Sequence, residues 1–337
     1  MPPIYVVQQN TKLRIRNRRL QVELEQEDGE VEVLSSTPLG QVSQVVLFGN
    51  VGLTTPAMDT LLLQESEVIF LTVHGEYRGR LVGPLTPHVP LRRAQYRRLE
   101  EEGFALRMAQ GFVSAKLHHQ RALLQRHQRE ERLAQVDEVI AQLGEAIESV
   151  PRKTTLAALR GLEGSGGAAY FRGLRGLFAP QWNFNDRNRR PPGDPVNVLL
   201  SFGYTLLTEL CSSAVQAVGL DPYAGFLHEV AYNRPALGLD LCEEFRPVVD
   251  GVVLWCCRSG QLTPADFSPG PAERPVVLGD AGKRRFLQAY EQRMEQTYTH
   301  PLRGMRLTMR QCIVEQARQI ADRMVNGPAG YQGMGFR

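Results

Sequence analysis

The hydrophobic period changes once along the chain, and that change constrains the fold more than any single motif. Residues 1–82 alternate apolar and polar at period two. Ile4-Tyr5-Val6-Val7, Leu13-Arg14-Ile15-Arg16, Leu20-Gln21-Val22-Glu23-Leu24 and Val31-Glu32-Val33-Leu34 read as strands. Asp28-Gly29 supplies a hairpin turn between two of them. Val45-Val46-Leu47-Phe48 and Val68-Ile69-Phe70-Leu71 are further strands. Between these, Thr54-Thr55-Pro56 starts a short helix, with threonine as N-cap and proline at the first helical position. This half reads as a small β-roll or sandwich carrying one helix.

Pro84, Pro87 and Pro90 punctuate a linker over residues 83–90. Beyond it the period becomes 3.6, which predicts a long basic amphipathic helix over 91–127. More helices are expected at about 131–149, 152–178, 195–218, 239–257, 281–299 and 303–325. The fold class is therefore α+β, with a β domain at 1–82 and a larger all-helical catalytic domain at 91–325. The glycine-rich tail, 326–337, is expected to be mobile.

Charge by itself does not point to nucleic acid: 39 basic residues nearly balance 36 acidic ones, leaving +3. A nuclease fits this balance if acids gather at a metal and bases where phosphates lie. None of the five cysteines is spaced as CxxC, so reduced core thiols and a cytoplasmic protein are expected. The N-terminus lacks the pattern of a signal peptide. The longest apolar run, Val252 to Cys257, falls far short of the ~20 residues that span a bilayer, so no membrane partner is expected.

Three segments of the helical half are built around polar residues. In Leu159 to Phe171, four glycines surround Glu163 inside a helical pattern. Each glycine weakens the helix by up to ~1 kcal/mol, so close approach of a backbone or a ligand is implied. A helix crossing with a solvated glutamate satisfies the same pattern. His228 follows a glycine turn and an apolar pair, and such a histidine taken alone is more often packed and hydrogen-bonded than a ligand. Asp240, Glu243 and Glu244 lie at i, i+3 and i+4 and share one helix face, so they need Arg246, a divalent cation or solvent to relieve repulsion. One histidine with carboxylates and no cysteine suits Mg²⁺ or Mn²⁺ better than structural zinc.

Together these segments resemble a known family. Glu163-Gly164, His228 and Asp240-Leu241-Cys242-Glu243-Glu244-Phe245-Arg246-Pro247 match, in order, the three signature motifs of the universal CRISPR adaptation endonuclease/integrase. A fourth match is Arg189-Arg190-Pro191-Pro192-Gly193-Asp194-Pro195-Val196-Asn197 through Ser201-Phe202-Gly203-Tyr204. The similarity extends to Val46-Leu47-Phe48-Gly49-Asn50 and the Thr54-Thr55-Pro56 helix start, nearly end to end. The departure is the number of glycines after Glu163, where family members often have one.

Carried over residue by residue, the resemblance implies that Glu163, His228 and Glu243 are catalytic metal ligands for Mg²⁺ or Mn²⁺. Some members have aspartate where Glu243 stands. Asp240 falls on an outer ligand or orienting position, and Arg246 on a basic position suited to a phosphate. Asn197 and Tyr204 are expected to shape the site rather than react. The implied reaction is strand transfer: the 3′-hydroxyl of a captured DNA fragment attacks a phosphodiester at a CRISPR repeat. The implied assembly is a homodimer formed through the β domains. Two such dimers flank a dimer of a small ferredoxin-like partner protein, a heterohexamer bound to double-stranded DNA. The implied setting is the prokaryotic cytoplasm.

DNA phosphates require basic surface. Arg189 and Arg190, the cluster Lys283-Arg284-Arg285, and Lys116, Arg121 and Arg126 on the long helix are candidates, with Arg187 and the strand arginines Arg14, Arg16 and Arg80. Two rival readings use the same residues. A structure-selective repair nuclease would employ water as nucleophile and cut without joining. A non-catalytic DNA-binding scaffold would tolerate loss of a ligand, whereas all three positions here hold competent residues.

Overall fold

The structure is a computed structural model that describes the chain except residues 85, 86, 132, 328, 336 and 337, and the side chains of 130 and 131. The strand-rich half contains β1 (Ile4–Val6), β2 (Thr11–Arg16), β3 (Arg19–Glu25), β4 (Val31–Pro38), β5 (Gln44–Phe48), β6 (Val51–Leu53), α1 (Thr55–Leu63), β7 (Glu67–Leu71) and β8 (Tyr77–Leu81). They form two four-stranded sheets, ordered β4-β3-β2-β6 and β1-β5-β7-β8. The β2–β3 hairpin turns at Asn17 and Arg18, whose φ values of 49° and 58° match the twist of the flanking strands. Thr54 does not cap α1 through its side chain. Its hydroxyl donates to the Leu13 carbonyl (3.1 Å) and ties the helix start to β2.

The two sheets enclose their own core of Leu13, Leu20, Val22, Val45, Leu47 and Val68, with Leu61 of α1. The alternate residues Val46, Phe48, Ile69 and Leu71 point the other way, into the core of the helical half. β5 and β7 are thus buried on both faces, which is why they read as unbroken apolar runs rather than alternations. Phe48 meets Phe202 edge-on at 5.8 Å, and Tyr5 donates to Glu291 at 2.6 Å across the same junction.

The helical half contains α2 (Val89–Glu100), α3 (Glu102–Glu131), α4 (Ala134–Ser149), α5 (Leu156–Arg175), α6 (Pro195–Ala217), α7 (Ala236–Arg258), α8 (Asp280–Met294) and α9 (Met309–Asn326). Three expectations need correction. The region expected over 91–127 is two helices, parted at Glu101, whose backbone is extended; Glu102 then opens the second. The domain is not all helical: β9 (Phe267–Pro269) pairs with β10 (Val276–Leu278), and β11 (Thr297–Thr299) with β12 (Arg306–Thr308). The second hairpin takes the β-branched and aromatic residues that helices were expected to include. α9 then starts at a capping box formed by Thr308 and Gln311.

The tail, expected to be mobile, is packed over its described residues. Tyr331 and Met334 are buried. The Tyr331 ring lies 4.3 Å from Phe112, and Gln316 donates to its hydroxyl at 2.6 Å. The Tyr331 hydroxyl and the Met334 amide both bond to buried Glu244. α6 is the one helix among the described residues long and apolar enough to cross a membrane, and 67% of that stretch is buried inside the fold, as in a core helix.

Candidate active site

Glu163 lies midway along α5, a helix capped by Thr155, whose hydroxyl accepts from the Ala158 amide at 3.2 Å. The glycines around it divide into two kinds. Gly166 faces α3, where a Cβ would stand 2.6 Å from a Leu117 methyl, so close helix approach explains it. Gly164 and Gly167 have nothing within 4 Å of such a Cβ, and leave the surface beside Glu163 low and open.

His228 sits in the segment between α6 and α7, and Asp240 of α7 builds that segment. Its fully buried carboxylate accepts the backbone amides of Phe226, Leu227 and His228 at 2.5, 3.0 and 2.9 Å. It also meets His228 Nδ1 at 2.8 Å. With Nδ1 as donor, the network leaves His228 Nε2 as the free lone pair, directed toward Glu243 Oε1 at 3.7 Å. Asp240 therefore orients the histidine.

Glu243 is buried one helical turn beyond Asp240. Arg246 Nε donates to its Oε1 at 2.9 Å, and the Lys116 ammonium lies 2.7 Å from its Oε2. Lys116 also contacts Glu163 Oε1, so one ammonium from α3 bridges carboxylates on α5 and α7. Burial alone would raise the Glu243 carboxyl, but the Arg246 and Lys116 charges outweigh it and hold the group far below the usual range. Burial pulls the Lys116 amine down, while Glu243 and Glu163 more than reverse that and keep it charged.

A second layer supports Arg246. Its guanidinium stacks 4.6 Å from the Tyr204 ring centroid, and Arg187 lies 5.4 Å from the same ring. Tyr204 and Tyr170 both donate to Asp250, at 2.5 and 2.8 Å. Burial pushes Asp250 up to about 6 despite those bonds. Asn197 holds the loop that carries Arg187: its Oδ1 accepts from Arg187 (2.7 Å) and the Asn188 amide (3.1 Å). Its Nδ2 donates to the Asp186 carbonyl (2.8 Å) and to Asp194 (2.6 Å). Asn197 and Tyr204 thus act as supports.

The fold brings Glu163, His228, Asp240, Glu243 and Arg246 into one cluster. Arg189 and Arg190 lie exposed on the loop before α6. The basic cluster on α8 is engaged elsewhere, with buried Lys283 paired to Asp280 (2.9 Å), Arg285 to Asp266, and Arg284 bonded to Gln8. Lys116, expected on a DNA-facing surface, is instead buried inside the cluster. A signal for this lay in the spacing. Met108, Phe112, Lys116, Gln120 and Leu124 recur every fourth residue, so the lysine falls on the buried stripe of α3.

The donors suit a hard or borderline divalent ion: two carboxylates and an imidazole whose other nitrogen is pinned by Asp240. Glu243 Oε2 is buried and accepts no hydrogen bond of ordinary geometry, its ion contact with Lys116 notwithstanding. Among the described residues no three His, Cys, Asp or Glu side chains are already drawn to metal-holding distance, and the Lys116 ammonium lies between the two carboxylates.

Comparison with known proteins gives a consistent picture. A family model described as CRISPR associated protein Cas1 matches residues 4–292. The CRISPR-associated endonuclease Cas1 1 of Thermus thermophilus is 41% identical over 318 residues, 94% of each chain. A casposase bound to integration product shares the fold with a TM-score of 0.85 at 20% identity, covering 100% of this chain and 95% of that one. A chain of a Cas6-RT-Cas1–Cas2 complex gives 0.84 at 24% identity, covering 100% of this chain and 36% of that one.

Proposed function

The chain belongs to the CRISPR-associated Cas1 family, and on that basis we propose that it is a metal-dependent integrase that inserts DNA fragments into a CRISPR array. The observation that carries this reading is the convergence of Glu163, His228 and Glu243 from α5, the loop before α7, and α7 itself. Asp240 fixes the histidine, and Arg246 sits on Glu243. Glu163, His228 and Glu243 would hold Mg²⁺ or Mn²⁺, which when bound supplies Lewis-acid charge to phosphoryl oxygens and a lower pKa to an attacking hydroxyl.

The reaction is transesterification. A fragment's 3′-hydroxyl oxygen forms a new bond to phosphorus, the bond from phosphorus to the existing strand's 3′-oxygen breaks, and the proton passes to that leaving oxygen. One phosphodiester replaces another, so no external energy source is needed. Asp240 holds His228 in one tautomer with Nε2 toward the site. Arg246, packed on Tyr204, places a fixed positive charge beside Glu243, where charge on a phosphate would be met. Gly164 and Gly167 leave room beside Glu163 for a DNA backbone, and exposed Arg189 and Arg190 offer charge to it.

Three further elements accompany this reading. Edge strand β4 exposes Val31, Val33 and Leu34, which suits it to a homodimer through the strand-rich halves. Val33→Lys should convert such a dimer to monomer in sedimentation analysis; an unchanged dimer would place the interface elsewhere. The Cas6-RT-Cas1–Cas2 complex and the casposase on its integration product, both among the structural neighbours, support a partner protein and DNA; a small ferredoxin-like partner and a heterohexamer on double-stranded DNA are part of the proposal itself. The described cysteines are all free and buried, in keeping with the prokaryotic cytoplasm.

The test is strand transfer in the reverse, disintegrating direction, on branched DNA with Mn²⁺ and with this protein alone. Wild type should rejoin the strand, whereas Glu163→Ala, His228→Ala and Glu243→Ala should bind DNA but lose at least ~100-fold in rate, as removal of a transition-state stabiliser does. Cutting without joining would turn the reading to a repair nuclease. Variants as active as wild type would move the site.

A further inference from the structure

Lys116 has no step in the reaction described above, yet it is the most deeply placed cation of the site. Its neighbours on the α3 stripe, Met108, Phe112 and Leu124, are fully buried. An ammonium in such a stripe is costly to desolvate unless its charge is met. Here it is met twice, by Glu163 of α5 and by Glu243 of α7 at 2.7 Å. Without that bridge two carboxylates would face each other across a helix junction.

The four groups in direct ion contact are balanced, Glu163 and Glu243 against Lys116 and Arg246, while Asp240 is turned to His228 and the loop amides. A divalent ion taken up by the same carboxylates with both cations in place would set four positive charges against the two shared carboxylates in a largely dry site, with Asp240, turned to His228, the one further negative charge of the cluster. Repulsion of that kind strongly penalises binding. One cation must yield. Arg246 is held by Glu243 at 2.9 Å and by the Tyr204 ring at 4.6 Å. Lys116 carries its charge on a flexible four-carbon stem, and its ion contacts are with the same two carboxylates that the metal would need.

We propose that Lys116 is a resident counter-ion that competes with a divalent cation for Glu163 and Glu243. It ties α5 to α7 through α3 and keeps metal affinity low until an anionic strand arrives to take up the displaced charge. The inference rests on the metal reading of the site, and it concerns the lysine rather than the triad.

The experiment is a Mn²⁺ titration of the full chain without DNA, followed by the electron paramagnetic resonance signal of free Mn²⁺. Wild type is compared with Lys116→Met, Lys116→Gln and the charge-conserving Lys116→Arg, with circular dichroism to show that each is folded. The uncharged variants should bind Mn²⁺ about tenfold or more tightly, as expected when a competing charge leaves a low-dielectric site. Without added metal they should melt below wild type, and Mn²⁺ should close that gap. Lys116→Arg should stay near wild type. Mn²⁺ bound by the uncharged variants alone would be the extreme case of the same competition. Folded uncharged variants that bind Mn²⁺ equally or more weakly overturn the proposal and leave the metal reading standing. Failure of every protein, wild type included, to bind Mn²⁺ removes both.

Discussion

Each half of the molecule contains a buried carboxylate flanked by two cations, and the two arrangements do opposite things. On the first sheet, Glu23 meets Arg14 at 3.2 Å and Arg16 at 3.0 Å, but those arginine side chains are 39% and 55% exposed. In the helical half, Glu243 meets Lys116 and Arg246, whose side chains are only 6% and 14% exposed, with His228 Nε2 beside it at 3.7 Å. The first set is a sheet-surface ion pair that water screens. The second is sealed, so each charge strongly shifts its neighbours, and an imidazole lone pair and a second carboxylate converge on it. The residue types alone do not separate the two. Depth and the convergence of further donors do.

The contrast is most vulnerable at Glu243. Glu243→Gln leaves the Lys116 and Arg246 charges without their shared partner, and should cost about 3–5 kcal/mol in denaturant unfolding. A loss below about 1 kcal/mol would mean that the sealed set is screened like the first. Asp250 comes next. Its folded value of about 6 lies above the ordinary 3.8, because burial outweighs the Tyr204 and Tyr170 bonds. Folded protein therefore retains this proton where unfolded chain has lost it, so this group's contribution falls as pH rises from about 3.8 through about 6. Asp250→Asn should remove that fall, a difference of up to about 3 kcal/mol between the two stability profiles. Parallel profiles would show that Asp250 titrates normally.

The junction between the halves adds an intermediate case. Gly75 has φ of 87°, and a Cβ there would stand 2.4 Å from the Phe202 ring. Gly75→Ala should cost about 1–3 kcal/mol in thermal unfolding, from left-handed strain and overpacking together. A neutral result would mean that the turn moves freely over α6. The smallest effect belongs to the sheet: Glu23→Gln should change stability by less than about 1 kcal/mol, and less still in high salt. A larger loss would make the sheet arrangement as consequential as the sealed one.

Much of the fold was legible because periodicity is a local property. β2 and β3 alternate since one face is buried, and α3 through α9 carry apolar stripes at helical spacing. The three-residue strands β9 to β12 were not legible, because elements that short carry no period to detect. The packing of the tail was hidden as well. It depends on the fit of Tyr331 over Phe112 and Gly111, where a Cβ would stand 2.0 Å from the Tyr331 carbonyl oxygen. At the site, Glu163, His228, Asp240, Glu243 and Arg246 were all visible as residue types in motifs.

Residue order alone set the two hydrophobic grammars and the chemical inventory: carboxylates, one imidazole and a nearby guanidinium, fit for a hard cation and for phosphate. Which of these groups face each other was settled by packing. Asp240 became the anchor of His228 because a buried carboxylate must satisfy its oxygens, and three amides and a ring nitrogen of the preceding loop lie within reach. Lys116 became the bridge between Glu163 and Glu243 because three helices close over it and exclude the water that would otherwise hold its charge. Pairing energies between charges depend on distance and local dielectric, and both are fixed only when segments distant in sequence are packed together.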